Sequence, residues 1–333
     1  MPAIRDRTTA EVLCFTHHLD NYDKTNEQHK TLESLRICEL SEKYGYEVVD
    51  IRPSWRKYLE LHHLPLTALL GDHIHLNPAG KALMASMVIP HLRYDPQPPA
   101  GPDRVRYYNA AGKLLGGSFD DAAAAALGNP FRFEFEGNRV DVVAAAAGPF
   151  GTAKILIDGK KPSAFRQCYA MTRCSGVPGG GWPAVRCVTL GEGVVAEDWE
   201  MTILHANKDW SEFEFAVKGS VTGPDGKGNN REKFVSNSGR LIIEPNTTSF
   251  DLLKKPAPPG CKARWSVYGT FCDEWKPAGI ADSAKENVYT LVQGLPNGKH
   301  VLEIVPNGDG DLPVRYLVAY QPLSPAKSAP GTQ

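Results

Sequence analysis

The run Tyr94-Asp-Pro-Gln-Pro-Pro-Ala-Gly-Pro-Asp103 constrains this chain most, because no helix or sheet interior can pass through it. Residues 95–103 therefore read as a linker, and the texture of the sequence differs on its two sides. Residues 1–94 read as α/β and residues 104–321 as all-β, with a Pro/Ser/Ala/Gly tail at 322–333 that composition predicts to be disordered. A length of 333 residues is enough for two separate cores.

In the first part, Glu11-Val-Leu-Cys-Phe-Thr16 and Glu47-Val-Val-Asp-Ile51 are short apolar runs suited to buried parallel strands. Between them, Asn26 to Tyr44 has helical spacing, with Leu32, Leu35 and Cys38 predicted on one face, which Ile37 can join, and Gly45 as the stop. Pro53 is expected to open a short helix reaching Leu61, and Pro78 to Leu92 forms the last helix. This is one strand–helix–strand–helix passage of an open parallel sheet. Two parallel strands leave hydrogen-bonding edges bare, so a preceding segment of the same protein is expected beside them.

Beyond the linker, Phe131–Phe135, Arg139–Val143, Ala153–Ile157, Glu212–Val217, Arg240–Ile243, Lys299–Ile304 and Val314–Val318 alternate or run apolar. Glu136-Gly, Asp158-Gly, Asp225-Gly and Asn297-Gly read as the turns between strands, and only Asp120 to Leu127 leans towards helix. Short strands with almost no helix predict a β-sandwich of jelly-roll type.

Charge is nearly balanced, 37 Lys plus Arg against 38 Asp plus Glu, which supplies no field for recruiting nucleic acid or an anionic membrane. No apolar run approaches the ~20 residues that cross a bilayer, and the first residues have no apolar leader. If a preceding segment carries a leader, an extracellular or periplasmic location is favoured, and pairs such as Cys261–Cys272 become candidates for disulfides among the seven cysteines.

The segment with most chemistry in it is Asp72-His73-Ile74-His75-Leu76-Asn77-Pro78-Ala79-Gly80. A carboxylate three residues before an imidazole can hold that ring in one tautomer, and Asn-Pro then starts a helix. Asp72-x-x-His75-x-Asn77-Pro78-x-Gly80, ahead of the last helix of an α/β domain, resembles the final motif block of the SGNH/GDSL-type serine hydrolases. The resemblance covers about residues 8–94. It implies a flavodoxin-like three-layer fold of which this chain holds a part, with His75 as general base and Asp72 as its orienter. The family's Gly-Asp-Ser nucleophile block and its Gly-x-Asn block do not occur before Asp72. Gly116-Gly117-Ser118 lies beyond the linker and follows no buried strand, which argues against it as the nucleophile. His73-Ile74-His75 with Asp72, near His62-His63, also has the look of a metal set, but no further ligand downstream completes it, and no metal or cofactor is expected.

In the second part, Phe135–Val143, Gly151–Gly159 and Gly298–Ile304 resemble the galactose-binding-like jelly-roll modules attached to many carbohydrate-active esterases. Phe215–Gly228 and Phe234–Arg240 resemble a segment of multi-domain bacterial SGNH proteins. Five of the six tryptophans lie here, and Trp182, inside Gly179-Gly-Gly-Trp-Pro, is the candidate for stacking on sugar because a glycine loop cannot easily bury it. Two readings stand. One is an ester hydrolase lineage deacylating carbohydrate, with its serine missing from this chain. The other is a non-catalytic carbohydrate- or protein-binding sandwich that carries a hydrolase remnant.

Overall fold

The computed structural model describes residues 4, 7–21, 24–93, 105–115, 125–127, 130–177, 182–252, 258–282 and 284–322. The chain divides into two compact units, Met1–Arg104 with Pro322–Gln333, and Val105–Gln321. The linker 95–103, Ser118 and the tail from 323 lie outside the described residues.

In the first unit, β1 (Leu13–Phe15) and β2 (Glu47–Val49) pair in parallel, Cys14 opposite Val48. Helix α1 (Lys24–Tyr44) joins them, with Glu27 in its first turn and Lys43 in its last, each favourable to the helix dipole. Gly45, at φ +67°, ends it as the spacing predicts. Tyr46 N–H returns to the Ser41 carbonyl at 2.8 Å and Gly45 N–H to Glu42 at 3.2 Å, a closure in which only glycine is unstrained. Helix α2 (Ile51–Leu61) buries Ile51, Arg52, Trp55 and Leu59, and Pro53 sits inside its first turn rather than opening it. Its missing amide costs nothing there, because first-turn N–H groups have no helical acceptor. Helix α3 spans Pro78–Val88, and a 3-10 turn at Ile89–His91 replaces the expected continuation.

The apolar face read into α1 is corrected by the structure. Leu32 and Leu35 are exposed, whereas Ser34 and Ser41 are buried. The core lies instead under α2, where Val49, Ile51, Trp55, Leu59, Leu69 and Leu19 pack together. Apolar spacing fixes the faces a helix can offer, but which one is covered depends on the neighbour present.

The second unit is built mainly of antiparallel sheets, consistent with a β-sandwich. A seven-stranded sheet runs in the order Glu274–Trp275, Ala153–Ile157, Asn287–Pro306, Phe131–Ala144, Pro313–Tyr320, Val105–Asn109, with Ala125–Ala126 added to Pro313–Tyr320. A five-stranded sheet (Gly223–Asn229, Phe213–Gly219, Glu197–Ala206, Lys262–Gly269, Tyr169–Met171) and a three-stranded one (Phe234–Val235, Leu241–Ile243, Val188–Leu190) make up the rest. Two large cores result. Phe131, Phe133, Val142, Ile155, Leu302 and Leu317 belong to the first, and Trp199, Met201, Phe215, Leu241, Phe250 and Trp265 to the second.

Three of the four predicted turns are not turns. Glu136-Gly137 lies within the continuous strand Phe131–Ala144, and a Cβ on Gly137 would stand 2.2 Å from the Tyr320 carbonyl oxygen. The glycine is there so that a neighbouring backbone can approach. Asn297-Gly298 marks a break in register inside Asn287–Pro306. Asp225-Gly226 lies within Gly223–Asn229, where the buried Asp225 carboxylate accepts from Ser238 N–H and Oγ. Only Asp158-Gly159 reverses the chain, at φ +50° and +74°. Of the stretch Asp120–Leu127, expected to lean towards helix, Ala125–Ala126 is strand and 120–124 lie outside the described residues. All seven cysteines are free thiols, so the candidate pairing Cys261–Cys272 does not form.

Candidate active site on the loop 70–77

The loop before α3 is closed at its base by a short antiparallel bridge between Leu70 and Leu76. Gly71 N–H donates to the His75 carbonyl at 2.7 Å, and Asn77 N–H to Leu69 at 3.2 Å. Asn77 then caps α3. Its Oδ1 accepts from Gly80 N–H at 2.9 Å, its Nδ2 donates to Ala68 at 2.9 Å, and Pro78 takes the first helical position.

Within that frame Asp72 folds back on the residues that follow. Oδ1 accepts the backbone N–H groups of Ile74 at 2.7 Å and His75 at 2.6 Å, while Oδ2 accepts from His75 Nδ1 at 2.7 Å. A carboxylate with three donors is strongly favoured in its charged form. The imidazole donor is the largest influence, followed by the two amides, and together they hold Asp72 well below the usual carboxylate range. Because Oδ2 can only accept, the proton of a neutral His75 ring sits on Nδ1, which leaves the Nε2 lone pair free to take a proton.

The pair is open to solvent, with the His75 side chain 83% exposed and Asp72 55%. Among the described residues no hydroxyl or thiol is hydrogen-bonded to His75 Nε2. Of the other histidines near the site in sequence, His62, His63 and His73 are exposed.

Support for the loop comes from the segment after β1, which the sequence pattern did not link to it. His18 Nε2 lies 2.7 Å from the Ile74 carbonyl oxygen, and Asn21 N–H donates to the His73 carbonyl at 2.9 Å. Arg52 donates to the His18 carbonyl at 3.1 Å and pairs with Glu27; Asp20 pairs with Lys30. The signal for this lay in His17-His18-Leu19-Asp20-Asn21 directly following a strand, but the His18–Ile74 contact bridges 56 residues and only folding brings these segments together.

In the second unit Trp182 is 53% exposed, with the Arg186 guanidinium carbon 5.7 Å from its ring centroid. Trp199, Trp265 and Trp275 are core residues. A shallow groove of about 500 Å³ crosses the outer face of the five-stranded sheet, lined by Thr172, Asp198, Glu200, Lys218, Arg264 and Ser266. Glu200 is already engaged there by Lys262 at 2.7 Å and Arg264 at 2.8 Å.

No protein-family model matches this sequence, and no curated protein matches it. Among solved structures it is similar to the crystal structure of a two-domain esterase active on acetylated mannans, co-crystallised with mannopentaose. That similarity has a TM-score of 0.24 and 12% identity, and covers 96% of this chain. The chain spans 65% of that esterase's length.

Proposed function

We propose that residues 1–94 carry the base half of an SGNH/GDSL-type serine ester hydrolase acting on acylated carbohydrate, followed by a jelly-roll module over 104–321. In this reading Asp72 fixes the tautomer of His75, His75 Nε2 takes the proton of a serine hydroxyl, and Asp72 stabilises the imidazolium that forms. The serine and the oxyanion donors come from a segment of the protein outside this sequence. The observation that carries the reading is the three-donor hold of Asp72 on its own loop, with the ring proton directed to Nδ1 and Nε2 left open.

Two measurements test it. The chain by itself is expected to hydrolyse a chromogenic acetyl ester no faster than its His75→Ala variant, and His75-dependent turnover would mean that it holds a nucleophile of its own. The reading frame upstream of Met1 is expected to encode, in frame, a strand ending in Gly-Asp-Ser. Without such a strand, the binding-module reading becomes the better one. The half-exposed Trp182 ring, beside Arg186, is the feature that favours a carbohydrate-binding role, either way, for the sandwich.

A further inference from the structure

The hydrogen bonds around the 72–75 loop fall into a pattern that Asp72 alone does not explain. The peptide joining His73 to Ile74 is held at both ends, its carbonyl by Asn21 N–H and its N–H by Asp72 Oδ1. The next peptide, from Ile74 to His75, is held in the same way, its carbonyl by His18 Nε2 and its N–H by Asp72 Oδ1. Two successive peptide planes are thus clamped from opposite sides, and they set the direction in which the His75 side chain leaves the backbone. Asp72 supplies one side of each clamp and the segment after β1 supplies the other.

Of those two outer contacts, His18 makes the one made by a side chain. A carbonyl oxygen can only accept, so His18 Nε2 carries the proton in this contact. The ring is half-buried and lies 5.5 Å, centroid to centroid, from the fully buried Trp55. Burial lowers its pKa, against the raising effect of the Ile74 contact, so the ring is a neutral donor with a defined tautomer. Its own backbone is fixed in turn by Arg52, which is itself buried in α2. A chain of contacts therefore runs from the core of the unit through Arg52 and His18 to the peptide that bears His75.

We infer that His18 is a positioning residue for His75: by donating to the Ile74 carbonyl it keeps the following peptide in the one orientation in which the His75 ring meets Asp72 Oδ2 through Nδ1. This rests on the base–orienter reading of Asp72 and His75. His18 touches no reacting atom in that reading and acts only through the loop backbone. Gln at this position keeps a donor at about the same reach, whereas Phe keeps the ring against Trp55 and removes the donor.

The experiment reads the His75 tautomer directly from imidazole 15N shifts at neutral pH in the full chain, with His18→Phe, His18→Gln and Asp72→Asn variants alongside. The parent chain is expected to hold the ring proton mainly on Nδ1. In His18→Phe the Nδ1–H population is expected to fall most of the way to the Asp72→Asn value, and His18→Gln to restore it. A natively folded His18→Phe protein with the parent tautomer would overturn the inference, as would failure of His18→Gln to restore it. If His18→Phe does not fold, His18→Asn, too short to reach Ile74, takes its place with the same two outcomes. Should Asp72→Asn leave the tautomer unchanged, the base–orienter reading itself falls. If Asp72→Asn alters it and His18→Phe does not, only the role of His18 falls.

Discussion

Gly80 sits beneath the carbonyl of Leu69, so close that a Cβ at position 80 would stand 2.2 Å from that oxygen. The first turn of α3 and the 3-10 turn Leu66–Leu69 are therefore packed backbone to backbone, and the loop 70–77 is strung between them. Leu69 also accepts from Asn77 N–H, so one carbonyl joins the packing at Gly80 to the closure of the loop.

Substituting Gly80→Ala should push α3 away from Leu69. Overpacking of this kind costs ~1–3 kcal/mol, and here the obstacle is backbone, which cannot swing aside as a side chain can. Urea titration followed by amide exchange in β1 and β2 should show that loss in the first unit and no change in the second.

Asp72 gives a pH dependence whose sign follows from its donors. Its folded pKa lies below the unfolded value, so its support of the loop is complete above the ordinary carboxylate pKa of about 3.9 and is lost as pH falls through the lower folded value. Amide shifts of Ile74 and His75 should stay native below pH ~4 and collapse only in stronger acid. In Asp72→Asn that acid transition should be absent. An inflection at the ordinary carboxylate pKa in the parent chain would contradict the three-donor geometry.

The cysteines should separate by reactivity. Burial pushes the Cys168 thiol up to about 12 and the Cys272 thiol up to about 11, so neither supplies much thiolate at pH ~8. Cys174 is raised by burial in the same way, while Cys187 is exposed. Iodoacetamide at that pH, read by peptide mass spectrometry, is expected to mark Cys187 first and to spare Cys168, Cys174 and Cys272 until the protein unfolds.

In the second unit Glu197 should matter more than any surface charge. Its side chain is fully buried and accepts from Val221 N–H at 3.0 Å, Thr222 N–H at 2.8 Å and Thr222 Oγ1 at 2.6 Å, with Arg240 3.7 Å away. Glu197→Ala leaves those donors facing an empty pocket and should cost about 3 kcal/mol. The measurement is the urea midpoint of the second unit. By contrast Lys262→Ala, which removes a partner of Glu200 near the surface, should cost under ~1 kcal/mol.

Much of the candidate site was legible because its contacts are short in sequence. Asp72 reaches residues two and three positions on, and Asn77 caps a helix that Pro78 begins. Such contacts depend on residue type and spacing alone, as does the stop at Gly45 and the reversal at Asp158-Gly159. His18 and Asn21 were not legible as partners of the loop, because nothing local ties residues 17–21 to residues 73–74.

Residue type and spacing suffice for the local order: a β–α–β–α passage with parallel strands, an Asp–His loop capped into a helix, and alternating strands beyond residue 104. Only in the folded chain is it settled that α1 buries Ser34 and Ser41 while exposing Leu32 and Leu35, that Glu136-Gly137 runs on as strand past Tyr320, and that the strands gather around two large cores and a smaller cluster. The difference is one of range. Turn chemistry and capping are settled among neighbours, whereas burial, register and close backbone approach are set by which distant segment comes to lie alongside.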